Sequence, residues 1–248
     1  MIWLAFIFGL IIGSFLNALI WRMYVRRSVV RGRSICPECK HVLVAKDLVP
    51  LLSFVWQQGR CRYCHERISW QYPLVELSTA VAFAAVVGTF GLSWVSAWYA
   101  LVVCLLLIIF VLDFRYSIIP DSVSLPLLAV GALSLWTTGL PWTEMLIGVG
   151  LGGGFFLLQW LISRGKWIGD GDIRLGAAMG AILGWQLVLV ALFLAYVVGA
   201  VVGVVLLARR KRTMESKIPF GTFLAAATVV CLFWGDWLVN GYLSLFGV

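Results

Sequence analysis

Eight apolar runs constrain this chain more than any other feature of its sequence. A run of about 20 apolar residues is long enough to cross the ~30 Å hydrocarbon core of a bilayer as a helix. Of the 248 residues, 62% are hydrophobic and 12% are charged, whereas a soluble domain is about 45–50% apolar and about 25% charged. A chain of this size cannot hide so much apolar surface from water, so part of its solvent must be lipid. The runs cover residues 2–21, 73–91, 93–112, 122–138, 142–162, 173–184, 186–208 and 219–234.

The runs predict an all-α polytopic membrane protein with about eight transmembrane segments. We expect a first span at residues 1–21, a small cytoplasmic insertion at residues 22–72 and a transmembrane core at residues 73–248. Run 173–184 is short, which favours a half-helix or a re-entrant segment. No internal repeat is evident. The composition excludes an ordinary cytosolic enzyme, a disordered chain and a secreted disulfide scaffold.

The basic residues predict the orientation in the bilayer. With eight spans, all 19 lysines and arginines fall on one side, and the positive-inside rule places that side in the cytoplasm. Both termini are then expected outside. The net charge of +8 is explained by this topology, so we expect no nucleic-acid partner.

Two CxxC pairs lie in the polar insertion, with 21 residues between them. Each pair can point two thiolates at one tetrahedral ion, and the spacing is close to that of zinc ribbons. The pattern favours a structural Zn²⁺ in a domain too small to have much core, and reduced thiols or redox pairs are the alternative. Cys104 and Cys231 lie in apolar runs, where we expect them only to pack. The four candidate ligands are Cys36, Cys39, Cys61 and Cys64.

Five of the eleven acidic residues lie near predicted cytoplasmic helix ends. Acids at the edge of a membrane are costly, so each is a candidate functional residue. Three have simpler explanations: Asp121 as a helix N-cap, Asp170 as a loop-orienting residue and Glu76 as the partner of an arginine. The set is Glu76, Asp113, Asp121, Asp170 and Asp172.

Asp113 and Asp172 are candidates for a catalytic pair. Two carboxylates held close together cannot both ionise, so one can act as a base on water and the other as an acid. Both histidines, His41 and His65, lie in the cysteine domain, which leaves no Ser-His-Asp arrangement near the membrane. Glycines on both sides of Asp170 would let the backbone turn tightly and approach a substrate closely.

Motifs along nearly the whole chain resemble those of the type IV prepilin leader peptidase and N-methyltransferase family of membrane aspartic proteases. Each motif alone is weak, whereas all of them in this order are specific. They are Gly13-Ser14-Phe15-Leu16-Asn17, the CPxC and CxxC pairs, Ile68-Ser69-Trp70-Gln71-Tyr72-Pro73-Leu74-Val75-Glu76, Asp113, Ile119-Pro120-Asp121, Gly169-Asp170-Gly171-Asp172, Ile173-Arg174-Leu175 and Pro219-Phe220-Gly221.

The resemblance implies that Asp113 and Asp172 are catalytic. It also implies cleavage of the basic leader of prepilins or pseudopilins at the cytoplasmic face of the bacterial inner membrane. Methylation of the new N-terminus with S-adenosylmethionine would follow, in a pilus, secretion or competence system. Supporting positions would be Gly169, Asp170, Gly171, Arg174, Asp121 and Glu76. The chain departs from the family pattern at Arg174, usually lysine, and at Ala18, usually valine.

Other functions fit the sequence less well. A peptidase without methylation is the nearest alternative. An ion pathway would place acids in the middle of spans, and a membrane thiol oxidoreductase would place cysteines near the outer face. A catalytically inactive assembly scaffold would not need both Asp113 and Asp172.

Overall fold

A computed structural model describes residues 1–29, 31–209 and 219–244. Within these residues the chain forms nine α-helices and no β-strand, only two isolated antiparallel bridges. Four basic residues used above for the orientation, Arg210, Lys211, Arg212 and Lys217, lie outside the described residues. The helices are α1 (Ile2–Tyr24), α2 (Leu52–Trp56), α3 (Gln71–Phe90), α4 (Trp94–Tyr116), α5 (Asp121–Ala132), α6 (Ser134–Thr137), α7 (Trp142–Ser163), α8 (Asp170–Ala208) and α9 (Phe220–Ser244).

The membrane architecture predicted from the apolar runs is confirmed. In the described part of the chain, six helices are long and apolar enough to cross a membrane, namely α1, α3, α4, α7, α8 and α9. A shorter apolar stretch, Asp121–Thr137, occupies the predicted run 122–138. The number of spans that cross the bilayer stays a prediction.

Helix α8 is interrupted where the sequence predicts a boundary between two runs. Gly184 has φ 72° and ψ −177°, a conformation that side chains other than glycine rarely adopt. The part of α8 before Gly184 rises about 1.5 Å per residue and is too short to cross a ~30 Å hydrocarbon core. It therefore has the length of the predicted half-helix.

The chain divides into two compact units, and the boundary falls within α4. The first unit, Met1–Cys104, contains the cysteine domain and the pair α1 and α3. A Cβ added at Gly9 would lie 2.6 Å from the Ala80 Cα, and one at Gly13 would lie 2.6 Å from the Glu76 Cα. The two helices approach this closely because these positions have no side chain. The predicted division at residues 21 and 72 stays a prediction.

The second unit, Leu105–Val248, is organised around α8, which packs against α5, α7 and α9. Two small-residue motifs face each other where α7 crosses the first part of α8. A Cβ at Gly148 would lie 2.6 Å from the Gly180 carbonyl oxygen, and one at Gly152 would overlap the Gly176 carbonyl oxygen. Such GxxxG contacts let helix backbones meet in a membrane.

We expect Gly152→Ala to destabilise the second unit, because the new methyl group would occupy the position of the Gly176 carbonyl oxygen. Overpacking of this kind typically costs about 1–3 kcal/mol. Thermal unfolding in detergent micelles measures the change. Gly150→Ala is the matched control, since a Cβ there has no neighbour within 4 Å. Equal melting temperatures for the two variants would contradict this account of the helix contact.

Candidate active site and metal centre

Asp113 lies in the last turn of α4, and its buried carboxylate reaches the beginning of α9. The side chain is only 5% exposed. Its Oδ2 accepts a hydrogen bond from the Thr222 backbone N–H at 2.6 Å and a second from the Thr222 hydroxyl at 3.0 Å. The first N–H groups of a helix have no partner within the helix and carry partial positive charge. Asp113 therefore satisfies a free donor of α9, although it belongs to a helix end that disfavours carboxylates.

Gly221 leaves the space that this contact requires. A Cβ at this position would lie 3.1 Å from the Asp113 Oδ2 and 2.6 Å from the Ile119 Cδ1. The glycine thus allows the α9 backbone to approach the carboxylate closely. Its role is close approach, because the residue lies in the first turn of a regular helix.

Asp172 lies in the first turn of α8 and is 8% exposed. Its Oδ2 accepts the backbone N–H of Gly169, the N-cap residue, at 3.2 Å. Its Oδ1 is buried and has no hydrogen-bond partner among the described residues. A carboxylate in the first turn is favoured by the helix dipole. The sequence placed the helix start after Asp172; the structure places it at Asp170, and the GxGD segment is part of the helix.

The role expected of the GxGD glycines also differs from what the structure shows. Gly169 has φ −78° and ψ 157°, a conformation open to any residue, and Gly171 is helical. Neither glycine makes a turn that requires left-handed backbone. Gly171 is needed because a Cβ there would lie 2.7 Å from the Ile119 Cβ.

Ile119 brings the two carboxylate-bearing segments together. Both the Gly171 backbone in α8 and the Gly221 backbone in α9 lie against this one side chain. Asp113 and Asp172 are near enough for their negative charges to interact. The structure therefore places the two predicted aspartates in one buried site.

Arg174 holds two of the other predicted acids at the rim of this site. Its Nη2 lies 2.6 Å from the Asp121 Oδ1 and 2.8 Å from the Asp170 Oδ2. The expectation that Asp121 is an N-cap was wrong, because Pro120 occupies that position and Asp121 is the first residue of α5. The Asp121 side chain pairs with the arginine instead of capping its own helix.

Glu76 lies in the first unit and has partners there. Its Oε2 accepts the backbone N–H of Leu51 at 2.8 Å, and the Ser14 side chain also hydrogen-bonds it. The expected arginine partner is not found among the described residues. Near it, the Asn17 amide donates to the Tyr72 carbonyl at 3.0 Å, so the polar motifs of α1 and α3 connect to each other.

The four predicted cysteines converge on one point. Their sulfur atoms all lie within 4.8 Å of one another, and the Cys36 and Cys64 sulfurs are 3.9 Å apart. Tetrahedral zinc with bonds of about 2.3 Å needs sulfurs about 3.8 Å apart. Burial raises the pKa of the Cys36 thiol, so a thiolate there needs a neighbouring positive charge, which a metal ion would supply.

The two cysteine pairs have the same local fold, a repeat that the sequence analysis missed. The backbone N–H of Cys36 donates to the His41 carbonyl, and that of Cys61 donates to the Glu66 carbonyl. Lys40 and His65, the residues directly after each pair, both have φ 59°. The donor set is thus built from two equivalent loops, as expected of a tetrahedral thiolate site.

Three residues of the aspartate site were not singled out as site residues from the sequence: Ile119, Gly221 and Thr222. Two of them lie within motifs that the sequence analysis quoted, and Thr222 directly follows one. The available signal was the proline–aromatic–glycine start of α9, which marks a helix N-terminus. What the sequence does not contain is the contact across 109 positions between Thr222 and Asp113.

The fold and the apolar helices define a multi-pass protein of the inner membrane. Bacterial peptidase A24 N-terminal domains match residues 7–90, and the type IV leader peptidase family matches residues 100–204. A prepilin leader peptidase/N-methyltransferase of Aeromonas salmonicida (strain A449) is 35% identical, over 97% of this chain and 93% of the relative.

Two further relatives carry the same name. The protein of Bacillus subtilis (strain 168) is 33% identical over 99% of both chains. That of Pseudomonas aeruginosa is 31% identical over 96% of this chain and 92% of the relative. No solved structure matches the chain. The chain belongs to the type IV leader peptidase family.

We expect Gly221→Ala to lower the thermal stability of the second unit, because the new methyl group would meet the Ile119 Cδ1 and the Asp113 carboxylate. Adding Ile119→Val removes the Cδ1 atom and should recover part of the loss. A double-mutant cycle on melting temperatures measures this coupling. Simple additivity of the two single changes would contradict the proposed contact.

Proposed function

We propose that this chain cleaves the basic leader of type IV prepilins or pseudopilins, using water activated by Asp113 and Asp172. One observation carries the proposal: two buried aspartates from distant segments share one site in a chain of the type IV leader peptidase family. The supporting positions at this site are Gly169, Asp170, Gly171, Arg174 and Asp121, with Glu76 in the first unit.

The mechanism follows from two acids that cannot both be ionised at close range. The ionised carboxylate removes a proton from water, and the new C–O bond forms at the scissile carbonyl carbon. The protonated carboxylate donates to the carbonyl oxygen. Collapse of the tetrahedral intermediate breaks the C–N bond, and the leaving amine takes up a proton. This chemistry needs only the two aspartates and a water molecule.

The position of the aspartates suits a prepilin, which has a basic leader followed by an apolar helix. Asp113 lies in the last turn of α4 and Asp172 in the first turn of α8, so both are near helix ends. Asp121 and Asp170 add negative charge, which Arg174 only partly neutralises. A basic leader would be attracted to such a rim. The positive-inside distribution supports a cytoplasmic active site with both termini outside.

We propose that N-methylation of the cleaved pilin with S-adenosylmethionine follows. Its support is the name shared by the relatives, prepilin leader peptidase/N-methyltransferase. The described residues contain no strand and therefore none of the strand–loop–helix sites that bind nucleotide-like cofactors in soluble enzymes. No step of methyl transfer is assigned to particular residues.

The cysteine cluster would hold one structural Zn²⁺ through Cys36, Cys39, Cys61 and Cys64. The sulfur spacing and the two equivalent loops support this assignment. A metal there would replace the apolar core that so small a domain lacks. All four cysteines are free thiols, so no disulfide provides that stabilisation instead.

Asp113→Asn and Asp172→Asn should each abolish leader cleavage, because neither variant can share a proton between two carboxylates. Mass spectrometry of a co-expressed prepilin reports cleavage and the added methyl group together. Asp236→Asn is the matched control, an exposed acid of the same unit that lies in α9. Wild-type cleavage by both correctly inserted dyad variants would remove the aspartyl mechanism. Cleaved but unmethylated pilin from the wild-type chain would leave a peptidase alone.

Replacing Cys36 and Cys61 by serine should abolish zinc binding and increase proteolysis of the segment 22–72, because only two thiolates remain. Elemental analysis of the purified protein measures zinc, and limited proteolysis measures the stability of the domain. Cys104→Ser is the control, since Cys104 lies in α4 outside the cluster. A wild-type protein purified without a chelator and free of zinc would contradict the assignment.

A further inference from the structure

The two aspartates have different hydrogen-bond environments. One oxygen of Asp113 accepts two donors from Thr222, the N–H at 2.6 Å and the hydroxyl at 3.0 Å. Asp172 accepts a single N–H, from Gly169 at 3.2 Å, and its other oxygen is buried without a partner in the described part of the chain. The contrast is large because all of these polar groups belong to residues that are largely shielded from water.

We propose that Thr222 is a positioning residue of the peptidase, which makes Asp113 the base that activates water and Asp172 the acid. The inference rests on the proposed function and assigns roles within it. Donors to a carboxylate favour its ionised form, and such charge-assisted bonds are stronger than neutral ones. A buried carboxyl oxygen without a donor favours the protonated form, whose O–H can donate to a substrate carbonyl.

The fold keeps Thr222 in this position through two features. The residue lies in the first turn of α9, so its backbone N–H has no partner within the helix. Gly221, the residue before it, lets the α9 backbone approach Asp113 to within hydrogen-bond distance. The hydroxyl of Thr222 then adds a second donor to the same oxygen, which fixes the carboxylate plane as well as its charge.

The assigned roles give a balanced reaction. Asp113 takes a proton from water as the water oxygen bonds to the carbonyl carbon, while Asp172 gives its proton to the carbonyl oxygen. The intermediate then collapses: the C–N bond breaks, the amine receives the proton from Asp113, and the hydroxyl returns its proton to Asp172. Both aspartates end in their starting states, as turnover requires.

The test compares Thr222→Val, which loses only the hydroxyl, with Thr222→Ser, which keeps it. We expect Thr222→Val to lower kcat for prepilin cleavage by about 10-fold with KM within about twofold, and Thr222→Ser to restore it. The acidic limb of the pH–rate profile should move to higher pH by about one unit, because ionised Asp113 has lost a donor. Thr228→Val is the matched control: Thr228 is buried in the same helix, but its hydroxyl donates to the Leu224 carbonyl.

The outcomes separate this inference from the proposed function. If Asp113→Asn is inactive while Thr222→Val keeps the wild-type kcat and pH profile, the role of Thr222 is wrong and the aspartyl mechanism stands. If Asp113→Asn cleaves normally, the proposed function itself fails. A shift of the alkaline limb alone would reverse the two aspartate roles and overturn the assignment. Should Thr222→Val fail to fold, the smaller Thr222→Ala is compared with Thr228→Ala in the same assay.

Discussion

Burial of two carboxylates near a membrane is the constraint on which the second unit depends. An unpaired charge in such a place costs several kcal/mol, and the structure meets that cost with helix N-termini. Asp172 lies in the first turn of its own helix and accepts the N-cap N–H. Asp113 ends one helix but accepts the donors of another, through Thr222 of α9. The free N–H groups that every helix must satisfy therefore hold the two acids in place.

Close backbone approach makes this arrangement geometrically possible. Gly171 and Gly221 both lie against Ile119, and a side chain at either position would push the two helix starts apart. Further along α8, Gly176 and Gly180 meet the backbone of α7 in the same way. The first part of α8 is thus fixed on both sides by contacts between backbones. A site held by backbone contacts moves little, which preorganised charge stabilisation requires.

Local sequence patterns predicted the apolar segments, the break at Gly184, the cysteine cluster and the segments that carry the two aspartates. These succeed because hydropathy, left-handed glycine and CxxC spacing act over short distances along the chain. The errors arose where a tertiary contact decides the outcome. Asp121 has the pattern of an N-cap, yet Arg174 attracts its side chain. Glu76 could have met an arginine, but the Leu51 N–H reaches it first, and no local pattern relates Asp113 to Thr222.

The first unit solves a different problem, because its polar insertion has little apolar material with which to fold. The two cysteine loops repeat one local structure, so a single ion can fix both at once. A buried carboxylate makes a second connection: Glu76 of α3 accepts the N–H of Leu51, a non-glycine residue with φ 58° that begins α2. A strained residue persists only where its surroundings hold it. The insertion is therefore tied to a membrane helix by a hydrogen bond, while its interior depends on the thiolates.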